Sequence, residues 1–166
     1  MSLPILTSKN HKKLEQLVNA YRSNEDKVTL FRNQLLSALT DSSDLAKNIH
    51  SIKTRIKDPN HLRDKLARKF IQCKGKREEF DITPDNLLVK INDLAGIRIL
   101  HLYTQQMREI NNILHKIFSE QQYLLLEKPF ARTWDDESRQ FFRELKIETQ
   151  ESPSMYTSVH YVVSSA

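Results

Sequence analysis

Over the first forty positions apolar residues recur three and four apart. Leu14, Leu17, Val18 and Tyr21 form one stripe, which predicts a helix over residues 10–22. Asn24 suits the cap of a second helix reaching about residue 40, with Val28, Phe31, Leu35 and Leu39 inward. These helices carry no chemical constellation. They read as a helical arm, residues 1–44, that packs on the rest of the chain or on a partner subunit of a homo-oligomer. From residue 49 the period changes to two. Ile52, Thr54 and Ile56 alternate with Lys53, Arg55 and Lys57, the pattern of a half-buried strand with a fully cationic outer face. Asp58-Pro59 then predicts a capped helix start. Leu62, Leu66 and Phe70 form its apolar stripe, beside a polar stripe of His61, Lys65 and Lys69.

Residues 74–83 read as a mobile charged loop, and Thr83-Pro84 as the opening of a short helix reaching about residue 91. Asn92-Asp93 is a turn before a mostly apolar strand, residues 95–102, expected at the centre of a sheet. A helix over 105–119, a strand from 123 onward, a helix over 135–145 and strands over 147–150 and 157–164 follow. Ser152-Pro153-Ser154 turns between the last two. Strands alternating with helices predict an α/β (α+β) domain over residues 45–166, a mixed sheet flanked by helices.

Composition sharpens this picture in three ways. Among 166 residues there are only two glycines, Gly75 and Gly96, so no glycine-rich phosphate loop exists and any phosphate must be held by side chains. The single cysteine, Cys73, excludes an internal disulfide and fits a reducing cytoplasm. No apolar run approaches the ~18 residues of a membrane span, and no membrane partner is expected. The formal charge of +5 conceals an asymmetry: residues 47–77 hold eleven Lys/Arg against Asp58 and Asp64, which is +9 and leaves −4 elsewhere. A basic block of this kind points to an anionic partner.

Three groups of residues could carry chemistry. Arg55, Lys57 and Lys65 can converge on one cleft, a planar guanidinium joined by two compact charges, enough to neutralise a triphosphate; the plainer alternative is a basic surface for RNA. Asp93, in Asp-Leu-Ala-Gly-Ile-Arg, lies beside a buried strand and needs a partner; Mg²⁺ is one option and a self-capping turn is the other. Gly96 allows close approach at the strand start. Tyr156, Ser158 and His160 share one strand face, able to stack on a base and bond its sugar or phosphates, or merely to make a polar surface. The six histidines show no metal-ligand spacing. Trp134, next to Asp135 and Asp136, reads as a loop anchor or helix start.

Arg55-Ile-Lys57-Asp-Pro-Asn-His61-Leu-Arg-Asp-Lys65-Leu-Ala-Arg-Lys69, then Asp93-Leu-Ala-Gly-Ile-Arg98-Ile, then Tyr156-Thr-Ser158-Val-His160 occur in an order that resembles the synthetase domain of the RelA/SpoT family, the (p)ppGpp or alarmone synthetases. The similarity covers about residues 45–166. It implies a fold related to the nucleotidyltransferases. It also implies Mg²⁺-dependent transfer of the β,γ-pyrophosphate of ATP to the 3′-hydroxyl of GDP or GTP, releasing AMP. By the same resemblance Arg55 would lie against the adenine or the donor phosphates, and Lys57 and Lys65 would hold those phosphates. His61 joins this nucleotide-binding set, where the family usually has a hydroxyl residue. Asp93 would bind Mg²⁺, Tyr156 would stack on the guanine, and His160, on the face it shares with Ser158, would contact acceptor phosphates. The chain departs from the family at Met155, where a Gly is common, and in residues 151–154, where a basic residue is usual. The family's catalytic Glu would fall beyond Ala166, so the resemblance implies a domain truncated at its C-terminal end and weak or inactive as a fragment. Two other readings remain open: an RNA 3′ end as acceptor, and a non-catalytic module that binds RNA or nucleotide.

Overall fold

The computed structural model describes residues 7–165. In chain order the elements are α1 (Ser8–Arg22), α2 (Glu25–Thr40), α3 (Ser43–Asn48), β1 (Ser51–Ile56), α4 (Pro59–Lys76), α5 (Leu87–Lys90), β2 (Ala95–Leu100), a 3₁₀ turn (Thr104–Gln106), α6 (Met107–Glu120), β3 (Tyr123–Leu125), β4 (Phe130–Thr133), α7 (Asp136–Glu144), β5 (Glu148–Glu151), β6 (Ser158–His160) and β7 (Val163–Ser165). The chain is a mixed α+β protein of small sheets flanked by helices, as its alternating periods predict. It divides into two compact units. One comprises the described residues up to Gln34 with Lys53–Arg98; the other comprises Leu35–Ile52 and the residues from Ile99 onward.

The first unit is built on helical stripes. Leu14, Leu17 and Tyr21 of α1 pack with Leu62 and Leu66 of α4, and all five are fully buried. Complete burial of one such side chain contributes roughly 1.5–3 kcal/mol. Helix α4 starts where expected: Asp58 accepts from the N–H groups of Asn60 and His61 at 2.8 and 3.1 Å, and Pro59 occupies the first turn. Its end differs from the sequence reading. The helix runs through Lys74, Gly75 and Lys76 and stops at Arg77, whose φ of 57° turns the chain left-handed. Residues 78–83 are then drawn back into the core rather than forming a mobile charged loop. Phe80 and Ile82 are buried, and the Phe80 ring meets Phe70 edge to face at 5.2 Å. Two apolar anchors inside a charged stretch outweigh its polar composition, because each recovers burial energy that a free loop would forgo.

In the second unit α6 presents Met107, Ile110, Leu114, Ile117 and Phe118 inward. Helix α7 is capped by Asp135, which accepts from the Ser138 N–H at 2.7 Å, and buries Phe142. The short α3, unanticipated from six residues of pattern, is capped by Ser42 and buries Leu45. Among the described residues the strands form three small sheets rather than one. β4 lies between β5, parallel, and β6, antiparallel, which makes this sheet mixed. β3 pairs antiparallel with β7. β2, expected at a sheet centre, pairs with β1 alone among the described residues and is only half-buried. The strand expected over 157–164 breaks at Tyr161-Val162, where the chain leaves β4 and joins β3. There the Tyr161 hydroxyl donates to Asn111 of α6 at 2.6 Å, and Val162 accepts from Leu126 at 2.9 Å. The strand expected from 123 onward breaks likewise into β3 and β4.

No helix among the described residues is long and apolar enough to cross a membrane.

Candidate functional site

Lys57 follows β1 and is tied down by its backbone on both sides. Its N–H donates to Leu94 at 2.8 Å, and its carbonyl accepts the buried Tyr21 hydroxyl at 2.7 Å. Burial, and then the charges of Glu25 and Asp58, push the Tyr21 phenol up to about 12. The side chain of Lys57 therefore does not join an outward cationic face as its strand period implies. It is 16% exposed, with Nζ 3.1 Å from Asp93 Oδ2. Lys65, on α4, brings its Nζ to 2.5 Å from the other oxygen, Oδ1. Each carboxylate oxygen thus takes one ammonium, and the three half-buried groups keep a net single positive charge.

Asp93 is positioned by its neighbours. Ile91 and Leu94 are buried on either side of the turn and leave the carboxylate facing the two lysines. Burial works to raise its pKa, but the hydrogen bonds from Lys65 and Lys57, together with their charge, prevail and hold it below the usual Asp value. Arg55, which is exposed, lies across Gly96. A Cβ added there would come within 3.1 Å of its Nε and 3.2 Å of its Cγ. The close approach at Gly96 is therefore made by the Arg55 side chain. His61 is exposed in the first turn of α4, one helical turn before Lys65. The remaining cations of the basic block do not all turn to this place: Arg63 donates to Glu15 of α1 at 2.7 Å.

Among the described residues no cluster of three or more His, Cys, Asp or Glu side chains could by itself hold a metal. The Asp93 carboxylate, shared by Lys57 and Lys65, is a hard oxygen donor. That suits Mg²⁺, which is often held by one or two carboxylates plus substrate phosphates and water.

The second unit assembles the other predicted residues. Ser158 and His160 lie on one face of β6, and the Ser158 hydroxyl is 2.9 Å from His160 Nε2. Opposite them on β4, Phe130 is the register partner of His160 and Arg132 that of Ser158. The Phe130 and His160 rings stack, with centroids 5.0 Å apart and planes 13° apart. The Arg132 guanidinium lies 5.6 Å from the Phe130 centroid. Burial first, then the charge of Arg132, lowers the His160 pKa, which favours the neutral ring at pH 7. Tyr156 precedes the strand and is 52% exposed. Phe130 and Arg132 were not singled out from the sequence. Their alternation was legible, but only the β4–β6 register shows that they share a face with Ser158 and His160.

Residues 54–166 match the family profile described as the region found in RelA / SpoT proteins, and the chain belongs to that family. No curated protein and no solved structure matches it.

Proposed function

We propose that this member of the RelA/SpoT family is an ATP:GDP/GTP 3′-pyrophosphotransferase, a (p)ppGpp synthetase. The observation that carries the reading is the Asp93 carboxylate shared by Lys57 and Lys65. Three separate segments of the family region supply these groups, and they are the residues to which the family's donor-phosphate and metal roles carry over. In the reaction the acceptor 3′-hydroxyl gives up its proton to a base or to solvent as its oxygen forms a bond to the β-phosphorus of ATP. The bond from that phosphorus to the α,β-bridging oxygen breaks, and AMP leaves with that oxygen. Such transfers depend mainly on positioning and on neutralising charge. Lys57 and Lys65 would bond the donor phosphates, and Arg55 would lie on the adenine or the same phosphates. His61 would flank them on α4. Asp93 would hold Mg²⁺, which supplies charge neutralisation at the phosphates. Ser158, His160 and Tyr156 would serve the acceptor, with Tyr156 against the base.

The test uses the full-length protein with Mg²⁺, ATP and either GDP or GTP, resolving products by anion exchange. The expected result is acceptor-dependent AMP together with a 3′-pyrophosphorylated nucleotide. Asp93→Ala is expected to lower the rate by roughly 100-fold or more, the scale of losing an electrostatic group from such a site. No AMP above background from a well-folded protein with GDP or GTP as acceptor, or AMP released only with an RNA 3′ end, overturns the reading.

A further inference from the structure

Thr133, at the end of β4, is the only Ser or Thr side chain fully buried among the described residues. A valine has nearly the same shape and would fill the place with no polar atom to satisfy, so the hydroxyl is there for its bonds. Thr133 Oγ1 donates to Asp135 Oδ2 at 3.1 Å and lies 3.1 Å from the Thr157 hydroxyl. The Thr133 carbonyl accepts from the Ser152 N–H at 3.0 Å. Asp135 is itself fixed, because its other oxygen caps α7 by accepting from the Ser138 N–H at 2.7 Å. Hydrogen bonds, that from Ser138 foremost, hold its pKa below the usual Asp value, so at pH 7 it is a carboxylate that can only accept. The single Thr133 hydroxyl proton therefore goes to Asp135, and the Thr157 hydroxyl must donate to Thr133. The bonds run one way, from Thr157 through Thr133 to Asp135 and α7.

Ser152 follows β5 and Thr157 precedes β6, so the connection between these strands is held at both ends by one residue of β4. Its middle gains little from packing, since Met155 is 86% exposed and Tyr156 52% exposed. Its internal bonds, from the Tyr156 N–H to the Ser154 carbonyl at 2.7 Å and between the Ser152 and Ser154 hydroxyls at 3.3 Å, tie the loop only to itself. Thr157 has Tyr156 and Ser158 as its chain neighbours. With Thr157 turned toward Thr133, a period of two turns Ser158 to the opposite face, where Arg132 is its register partner. We infer that Thr133 is a positioning residue for the acceptor: its buried hydroxyl, aimed by Asp135, fixes Thr157 and with it the places of Tyr156 and Ser158. The inference rests on the acceptor role proposed above for those two residues. It adds Thr133, Asp135 and Thr157, to which the family resemblance gives no part. Being fully buried, Thr133 acts through Thr157 and not on a nucleotide directly.

Thr133→Val keeps the shape and removes the side-chain bonds, whereas Thr133→Ser keeps the hydroxyl. In the full-length protein Thr133→Val is expected to raise the KM for GDP or GTP roughly ten-fold, the scale of one lost base-stacking contact, and to leave the KM for ATP unchanged. Amide hydrogen exchange should quicken several-fold across residues 152–158 and stay at the wild-type rate across α6, which a general loss of stability would also speed. Thr133→Ser should restore both readouts. Thr157→Val, which removes only the donor from a half-buried position, should reproduce both effects of Thr133→Val. Unchanged exchange across 152–158 in Thr133→Val and Thr157→Val overturns the inference, even where AMP release shows the transferase reading to be correct. So does an equal rise in exchange across α6 in both variants, faster local exchange with an unchanged acceptor KM, or a Thr133→Ser protein that behaves as Thr133→Val does. Local quickening that Thr133→Ser reverses, in a protein that releases no AMP, supports the Thr133 anchor and removes the transferase reading instead.

Discussion

Asp93 and His160 are both half-buried polar groups, yet the two units stabilise them in opposite ways. Asp93 is kept charged, one lysine on each oxygen, and its pKa falls although burial opposes this. His160 is kept neutral, stacked on Phe130 and bonded to Ser158, and its pKa falls because burial and Arg132 both disfavour the cation. The difference lies in what each group is given. Ammonium groups from two elements can repay the desolvation of a carboxylate, whereas at His160 burial and the Arg132 charge outweigh the opposing charge of Glu127. A charged trio can exchange its partners for phosphate and metal.

The largest expected effect comes from removing the scaffold under the charged trio. Leu66 is fully buried next to Lys65, and Leu66→Ala should cost about 2–5 kcal/mol in a denaturant melt. An equal loss from Lys69→Ala, on the polar stripe of α4, would mean the apolar stripe is not what positions Lys65. Next is Asp93→Asn, which leaves two half-buried ammonium groups without their carboxylate. About 1–2 kcal/mol is expected after discounting for its partial exposure. The wild-type advantage should be present above the ordinary Asp range near pH ~3.9 and disappear as pH falls through the lower folded value. An advantage unchanged at pH ~2 would break the contrast with His160.

His160 gives the matching curve at higher pH. Its folded pKa is depressed, so the unfolded chain binds a proton first. Its contribution should be complete above pH ~6.5 and lost as pH falls through the folded value. His160→Gln should flatten that segment of the stability profile, while Asp93→Asn should not. Tyr21→Phe tests the tether behind Lys57. Loss of its bond to the Lys57 carbonyl should cost about 1 kcal/mol. Because folding raises the phenol to about 12, the contribution is full below pH ~10 and lost as pH rises toward that value. The smallest effect is expected from Gly96→Ala. The new methyl meets the flexible Arg55 side chain, so stability should change by less than ~1 kcal/mol while Arg55 is displaced. A larger loss of nucleotide binding than of stability in Gly96→Ala would mark Arg55 as part of the site.

Much of this molecule could be read before any coordinates. The stripes of α1 and α4, the Asp58-Pro59 helix start and the inward face of α6 follow from local periods, because a helix must bury whatever lies on its apolar side. The family motifs likewise nominate Lys57, Lys65 and Asp93 without geometry. The misreadings share a cause: each concerns a choice of partner. Lys57 belongs by alternation to an outer cationic face, but Asp93, 36 residues away, draws it inward. Residues 78–83 are polar on average, but Phe80 and Ile82 find a core to join. The last strand is one run of pattern cut in two where it changes neighbours.

Periodicity and chemical type are properties of adjacent residues, and the chain alone determined them: which faces are apolar, where helices begin, and that any phosphate must be met by side chains. Tertiary structure alone decided which strand lies beside which, and therefore that Arg132 and Phe130 share a face with His160, and that each oxygen of Asp93 has its own lysine. Those pairings are settled by competition among distant segments for the same buried surface, which no local pattern records.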